Sequence, residues 1–341
     1  MKALVWEGPR VMNMREMEIP KPRADEVVLR VAYAGICGSE LSGYLGHNAL
    51  RVPPLVMGHE FTGEIVSLGE NARVVNSHLQ EGMRVTVNPL QYCGECEFCA
   101  RGLVQLCLTR KLIGAHRPGA YAEFVSVPAN LVSPLPDGMS LETGALTEPV
   151  AVAVRIAELA GDVRGQDALV VGAGPIGLLA LQVLKLRGAA RVFISDLDAE
   201  RLAMGAAFGG EPLNARQADV VKTVRDATNG LGVFAAIEAV GTAVTRANAI
   251  AATRSTGTVV LAGLHEETGM MPVADVIRRE IVLRGSFCYT EANFAEALQL
   301  LANEEIHLAP WIVQSPLEQG GDWFERLLNA PGNVAKVLLV P

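Results

Sequence analysis

The chain has 341 residues, of which 50% are hydrophobic and 19% charged. That length suggests roughly two domains, each large enough to bury its own core, and the composition excludes extensive disorder. Lys plus Arg total 29 against 37 Asp plus Glu, a net charge of −8 with no long basic run, which argues against nucleic acid as the main partner.

The opening MKALVWEGPR reaches Glu7 and Pro9 too early to hold the apolar core of a signal peptide, so a cytoplasmic location is expected. Residues 1–148 read as β-rich. Apolar or alternating runs at 27–36, 61–68, 83–87 and 121–127 are each bounded by Gly, Pro or polar turns. Between the third and fourth runs lies Cys93-x2-Cys96-x2-Cys99-x7-Cys107. Four thiolates on so short a loop can saturate a tetrahedral Zn²⁺, and two disulfides are the alternative. A saturated site has no vacancy for substrate, so this zinc would be structural. Cysteines in metal roles also suit a reducing compartment.

Beyond Pro149 the pattern changes to strands alternating with helices. Strands are expected at 168–171, 191–195, 233–238, 258–262 and 281–284, with helices opening at Pro175 and Asp198. Such alternation argues for an α/β unit with a parallel, doubly wound sheet. Residues 168–184 are apolar enough to suggest a membrane span, but the stretch is short and broken by three glycines and a proline. A buried strand-turn-helix fits it better, and no membrane partner is expected. A helix at 292–301, a Pro/Gly-rich stretch and a strand at 336–340 close the chain.

Gly172-Ala173-Gly174-Pro175-Ile176-Gly177 follows the first strand of that series and opens its helix. Gly172 allows the turn, Gly174 lets a pyrophosphate approach the backbone, and Gly177 lets helix pack on strand. Asp196 ends the next strand, nineteen residues after Gly177. An acid there accepts hydrogen bonds from ribose hydroxyls and repels a 2′-phosphate, which favours NAD over NADP; a helix cap is the other reading of Asp196. Arg201, in the following helix, is counted with the cofactor-binding residues.

An open metal site needs three protein ligands and an exchangeable position. Cys37 in AGICGSE, His59 and Glu60 in MGHEFTGEIV, and Glu148 in ALTEPVAV are candidates. Singly, Cys37 could be a small buried hydrophobe, His59 a satisfied core histidine and Glu148 a helix N-terminal carboxylate.

Together the motifs resemble the zinc-dependent medium-chain dehydrogenase/reductase superfamily of alcohol dehydrogenases. Its GHExxGxxxxxG signature is matched by Gly58-His59-Glu60, Gly63 and Gly69, with Cys37, the cysteine loop and the glycine loop in the family's order. The resemblance implies a GroES-like catalytic domain, residues 1–148 completed by 290–341, and a Rossmann NAD-binding domain, residues 149–289. Cys37-Gly38-Ser39 and Glu148-Pro149 look most like the polyol dehydrogenase branch. The resemblance therefore implies two zinc ions per chain. One is catalytic, held by Cys37, His59 and Glu148 with Glu60 as a lesser candidate, and one is structural, held by Cys93, Cys96, Cys99 and Cys107. The implied reaction moves a hydride reversibly from a secondary alcohol, a polyol or sugar alcohol, to NAD⁺, the zinc acting as a Lewis acid. Alternatives are a threonine-type or sugar-alcohol-phosphate dehydrogenase, or a zinc-free alkene or quinone reductase of the same fold. Ser39 holds the family's proton-relay position, and Glu40 resembles its histidine-orienting aspartate with one methylene more. Ser42 stands where sorbitol dehydrogenases often carry a relay histidine. Tyr44, His47 and His116 could meet a hydroxylated substrate, Phe287 and Tyr289 could line its pocket or fill the domain junction, Arg117 could suggest a substrate phosphate, and a homodimer or homotetramer is implied.

Overall fold

The computed structural model describes residues 1–341. The chain divides into two compact units, Met1–Glu148 with Thr290–Pro341, and Pro149–Tyr289.

The first unit opens with β1 (Lys2–Gly8), β2 (Val11–Glu16), β3 (Glu26–Gly35), α1 (Gly38–Tyr44), β4 (Leu55–Val56) and β5 (Glu60–Leu68). It continues through α2 (Ala72–Val75), β6 (Arg84–Val87), β7 (Leu90–Gln91), α3 (Glu97–Ala100), β8 (Lys111–Leu112), β9 (Phe124–Pro128), β10 (Val132–Pro134) and α4 (Leu141–Gly144). The first two residues of α5 (Thr147–Ala160) complete this stretch.

The second unit holds β11 (Asp167–Val171), α6 (Pro175–Leu186), β12 (Arg191–Asp196), α7 (Ala199–Ala207), β13 (Glu211–Asn214) and α8 (Val220–Ala227). β14 (Val233–Glu238), α9 (Ala243–Ala252), β15 (Thr253–Leu261), α10 (Val273–Arg278) and β16 (Val282–Gly285) finish it. The chain then returns to the first unit with α11 (Glu291–Ala302), β17 (Ile312–Pro316), α12 (Gly320–Asn329) and β18 (Lys336–Val340).

β3 is the spine of the first unit. Its β-branched and aliphatic residues Val27, Val28, Leu29, Val31 and Ala34 are buried, and it pairs antiparallel with β5, β9 and β18. The sheet runs β10-β6-β5-β3-β18-β17, so a strand from the end of the chain lies beside one from its beginning. Register shifts between Val28 and Leu29 and between Val31 and Tyr33 mark irregularities in the β3–β5 pairing.

In the second unit all five strand pairings are parallel, in the order β13-β12-β11-β14-β15-β16. The central strands β11 and β14 carry continuous apolar runs: Ala168, Leu169 and Val170 are fully buried, as are Ala235, Ala236 and Ile237. Strand order reverses between β11 and β14, where such sheets bind ligands beyond their C-terminal ends. The apolar stretch 168–184 is β11, a turn and most of α6, and no helix is long and apolar enough to cross a membrane.

Two departures from the sequence reading have local causes. The run 121–127 becomes a strand only at Phe124, because Tyr121 bonds elsewhere: its N–H donates to Met57 O and its carbonyl accepts from Leu4 N. The Pro/Gly-rich stretch contains β17 and α12. Trp323, Phe324, Leu327 and Leu328 of α12 join the main core of the first unit, so burial of one helix face outweighs an N-terminus of two glycines.

Candidate metal centres and nucleotide loop

The four-cysteine loop brings Cys93, Cys96, Cys99 and Cys107 together with all four sulfurs within 4.8 Å of one another, and none is in a disulfide. The Sγ separations Cys96–Cys99 and Cys93–Cys107 are both 3.5 Å, and Cys93–Cys99 is 3.9 Å. A tetrahedron with Zn–S bonds of 2.3 Å has edges of roughly 3.8 Å, so these sulfurs fit zinc closely. Burial pushes the Cys107 thiol up, but hydrogen bonds from the Cys93 backbone and Thr109 outweigh it and bring it to about 6, towards the thiolate a metal needs.

A second group forms around α1 and the turn into β5. Cys37 Sγ, His59 and Glu60 lie with their ligand atoms within 4.8 Å of one another. Cys37 precedes α1, His59 precedes β5, and Glu60 is the first residue of β5, opposite Gly35 of β3. A Cβ at Gly35 would come 2.3 Å from Glu60 Oε2, so only glycine leaves that carboxylate its place. A thiol, an imidazole and a carboxylate suit the chemistry of zinc.

Glu60 is committed elsewhere in this arrangement. Lys336, the first residue of β18, is buried, and its Nζ donates to Glu60 Oε1 at 3.0 Å, Glu60 Oε2 at 2.7 Å and Ile36 O at 3.2 Å. Glu148 stands outside the three-residue group, although it is buried in the first turn of α5 and its charge acts on Lys336. Burial alone would lower the Lys336 pKa. The charges of Glu60, Cys37 and Glu148 outweigh that and raise it.

Behind His59 lies Glu40, fully buried, with four donors on its carboxylate. Oε1 accepts from Gly58 N at 2.8 Å and faces His59 Nδ1 at 2.8 Å; Oε2 accepts from Cys37 N at 3.1 Å and from the Tyr121 hydroxyl. Burial would raise the Glu40 pKa, yet His59, Arg51 and Tyr121 bring it down to about 2. Burial would lower the His59 pKa, but the Glu40 carboxylate and Cys37 raise it well above its usual value. With Nδ1 turned to a carboxylate, the Nε2 lone pair of His59 is left for a metal.

Ser39 is exposed, its Oγ 3.5 Å from Cys37 Sγ. Arg51, which sequence reasoning passed over, is buried and donates to Ser39 O at 3.2 Å and Ser39 Oγ at 3.3 Å. Its Cδ occupies the space a side chain at Gly43 would need. Other polar candidates have structural duties. The Tyr44 hydroxyl, beside Arg10 O, donates to Glu325 at 2.8 Å, and Arg117 pairs with Glu26 at 2.7 Å and bonds Ser126 O, which removes it as a phosphate ligand. His47 and His116 are exposed, and Tyr289 is fully buried while Phe287 is partly exposed.

In the second unit the glycine loop joins β11 to α6. Gly172 has φ +104°, a conformation that favours glycine, and donates to Ser195 O. A Cβ at Gly177 would sit 1.8 Å from Gly172 O, whereas one at Gly174 would meet nothing within 4 Å. The open face at Gly174 is where a pyrophosphate fits; Gly177 packs the helix onto the turn. Pro175 occupies the first turn of α6, and Gly174, Pro175 and Ile176 remain part-exposed. Asp196 ends β12 with Oδ2 accepting from Ala173 N at 2.7 Å, which sets its carboxylate against the loop. Arg201 lies in the first turn of α7, half-buried, its N–H donating to the Asp198 cap.

A dehydrogenase that uses zinc and a nicotinamide dinucleotide is the class of enzyme these parts define. Two family models agree: Alcohol dehydrogenase GroES-like domain matches residues 23–137, and Zinc-binding dehydrogenase matches residues 175–303. Sorbitol dehydrogenase of Ovis aries is 34% identical over 332 residues, 95% of this chain and 92% of that protein. The 2-dehydro-3-deoxy-L-galactonate 5-dehydrogenase of Pseudoalteromonas atlantica is 32% identical over 335 residues, 97% of this chain and 96% of its own length. Among solved structures, a zinc-binding dehydrogenase from Sinorhizobium meliloti 1021 bound to NADP superposes with TM-score 0.92 at 30% identity, covering 100% and 99% of the two chains. The chain belongs to the zinc-dependent medium-chain dehydrogenase/reductase family, in its polyol-dehydrogenase-like branch. It is an oxidoreductase acting on a small molecule.

Proposed function

We propose that this enzyme oxidises a secondary alcohol, a polyol or sugar alcohol, with NAD⁺ as hydride acceptor, and reduces the ketone in the reverse direction. The observation that carries the proposal is the gathering of Cys37, His59 and Glu60 within 4.8 Å, in one chain with a glycine loop closed by Asp196. Sorbitol dehydrogenase among the relatives supports a polyol substrate.

Cys37 and His59 are two ligands of the catalytic zinc. Glu148 is taken as the third on the family resemblance, and Glu60, gathered with Cys37 and His59 and held by Lys336 through both oxygens, is the exchanging candidate. When bound, the zinc polarises the substrate hydroxyl and the nicotinamide takes up the hydride. Ser39, exposed beside Cys37, is the first group to receive the hydroxyl proton. Arg51 cannot carry it further, since a guanidinium has no lone pair, and Ser42 is no base, so the proton leaves through water. Cys93, Cys96, Cys99 and Cys107 hold the structural zinc. Gly172, Gly174, Pro175, Ile176 and Gly177 seat the pyrophosphate, and the Asp196 carboxylate selects NAD. The first unit serves as catalytic domain and the second as nucleotide domain, in a cytoplasmic homo-oligomer.

The test is purified protein offered NAD⁺ or NADP⁺ with a panel of free and phosphorylated polyols, following reduced cofactor before and after chelation. Cys37→Ser and His59→Ala should abolish turnover with circular dichroism unchanged. Inert alcohols in the presence of two bound zinc ions per chain would refute the proposal.

A further inference from the structure

We infer that Tyr121 is a positioning residue for the catalytic metal ligands, and that its hydroxyl and the length of Glu40 are a matched pair. The inference rests on the assignment of Cys37 and His59 as zinc ligands.

A carboxylate offers about four lone-pair positions, and Glu40 has four donors on them, from Cys37 N, Gly58 N, His59 Nδ1 and the Tyr121 hydroxyl. Three of those donors come from the residues that carry the ligands or adjoin them. One buried side chain therefore ties the segment before α1 to the segment before β5. Tyr121 is the only donor from a third segment. Its single proton has two acceptors in reach, Gly35 O at 3.0 Å and Glu40 Oε2, and the charged oxygen is the stronger.

The hydroxyl has little freedom to leave. Tyr121 is fully buried, its ring meets Phe324 edge-on with centroids 6.1 Å apart, and a Cβ at Gly58 would lie 2.8 Å from its Cδ1. Its backbone is fixed to Met57 O, one residue before Gly58. The ring and the histidine turn are thus packed as one piece, with Glu40 bridging them from α1. Aspartate would be shorter by one carbon–carbon bond, about 1.5 Å. From the same backbone it would have to abandon either His59 or Tyr121. Without the hydroxyl, Oε2 keeps only the Cys37 N–H, the longest of the measured bonds to this carboxylate, and its hold on the imidazole loosens.

The experiment uses zinc-replete full-length protein and a colorimetric chelator, following release of both ions. Cys37→Ser identifies which release phase belongs to the catalytic site. Tyr121→Phe should speed that phase about tenfold and leave the four-cysteine phase unchanged. Glu40→Asp should behave alike, and the double variant should be no worse than Glu40→Asp alone, because both changes break one network. Independently of any variant, the metal-free protein with ¹⁵N-labelled histidine should show a slowly exchanging Tyr121 hydroxyl proton close in space to the His59 Nδ1 proton. A catalytic phase within twofold of the wild type, equal acceleration of both phases, or absence of that proton contact overturns the inference. A wild-type protein with a single zinc, or phases that Cys37→Ser leaves intact, overturns the site assignment on which it stands.

Discussion

Removing the Lys336 charge tests how the first unit holds its carboxylates. Lys336 and Glu60 have relative exposures of 3% and 1%, and every hydrogen bond made by Nζ goes to Glu60 or to Ile36 O. Lys336→Met keeps much of the stem and deletes the charge, leaving Glu60 ionised and buried without its counter-ion. Breaking one side of a buried pair costs about 3–5 kcal/mol. For a unit of about 200 residues that lowers the melting temperature by roughly 6–20 °C. Calorimetry of zinc-saturated protein at pH 8 measures it, and Glu60→Gln placed in the Lys336→Met background should recover part of the loss. The pH dependence has a definite sign. The raised folded pKa of Lys336 means that its contribution is complete below 10.5 and fades as pH rises through the folded value. The gap between wild type and variant should therefore narrow only in strong alkali. A loss under about 1 kcal/mol, or strict additivity in the double variant, would show that the pair is not what stabilises this part of the sheet.

Gly177→Ala should be far more harmful than Gly174→Ala, because its new carbon would fall 1.8 Å from a backbone oxygen that the turn cannot move; NADH fluorescence titration and a melting curve together distinguish lost binding from lost folding. In zinc-stripped protein, the stability contributed by Glu40 is present above its ordinary pKa of 4.5 and should be lost as pH falls towards about 2. Urea titrations across that window should show a slope that Glu40→Gln flattens.

What the sequence disclosed follows from how local each signal is. The cysteine loop and the glycine loop are short-range motifs, and each was recognisable because its geometry is set within fifteen residues or fewer. The parallel unit was recognisable from the alternation of apolar runs with helical segments. Lys336 was not, since its partner lies 276 residues earlier. A lysine opening the apolar run KVLLV was the available clue, because a charge on a strand buried from its first residue needs a counter-ion. Arg51 and Tyr121 were hidden for a similar reason: one lies in a loop of ordinary composition, and the other was absorbed into a β pattern. Glu60 and Glu148 were separable only in three dimensions, where one holds a lysine and the other does not belong to the sulfur-histidine cluster.

The place of β18 between β3 and β17 also fixes an order of events during synthesis. At 5–20 residues per second, a growing chain makes Glu60 and then waits roughly 14–55 s for Lys336. Throughout that interval β3 lacks a neighbour and a carboxylate destined for the interior lacks its cation. The second unit, drawn from one uninterrupted stretch, is complete in the nascent chain before the first. A chain that stalls just short of Lys336 would carry every proposed zinc ligand and still be unable to close the sheet that holds them.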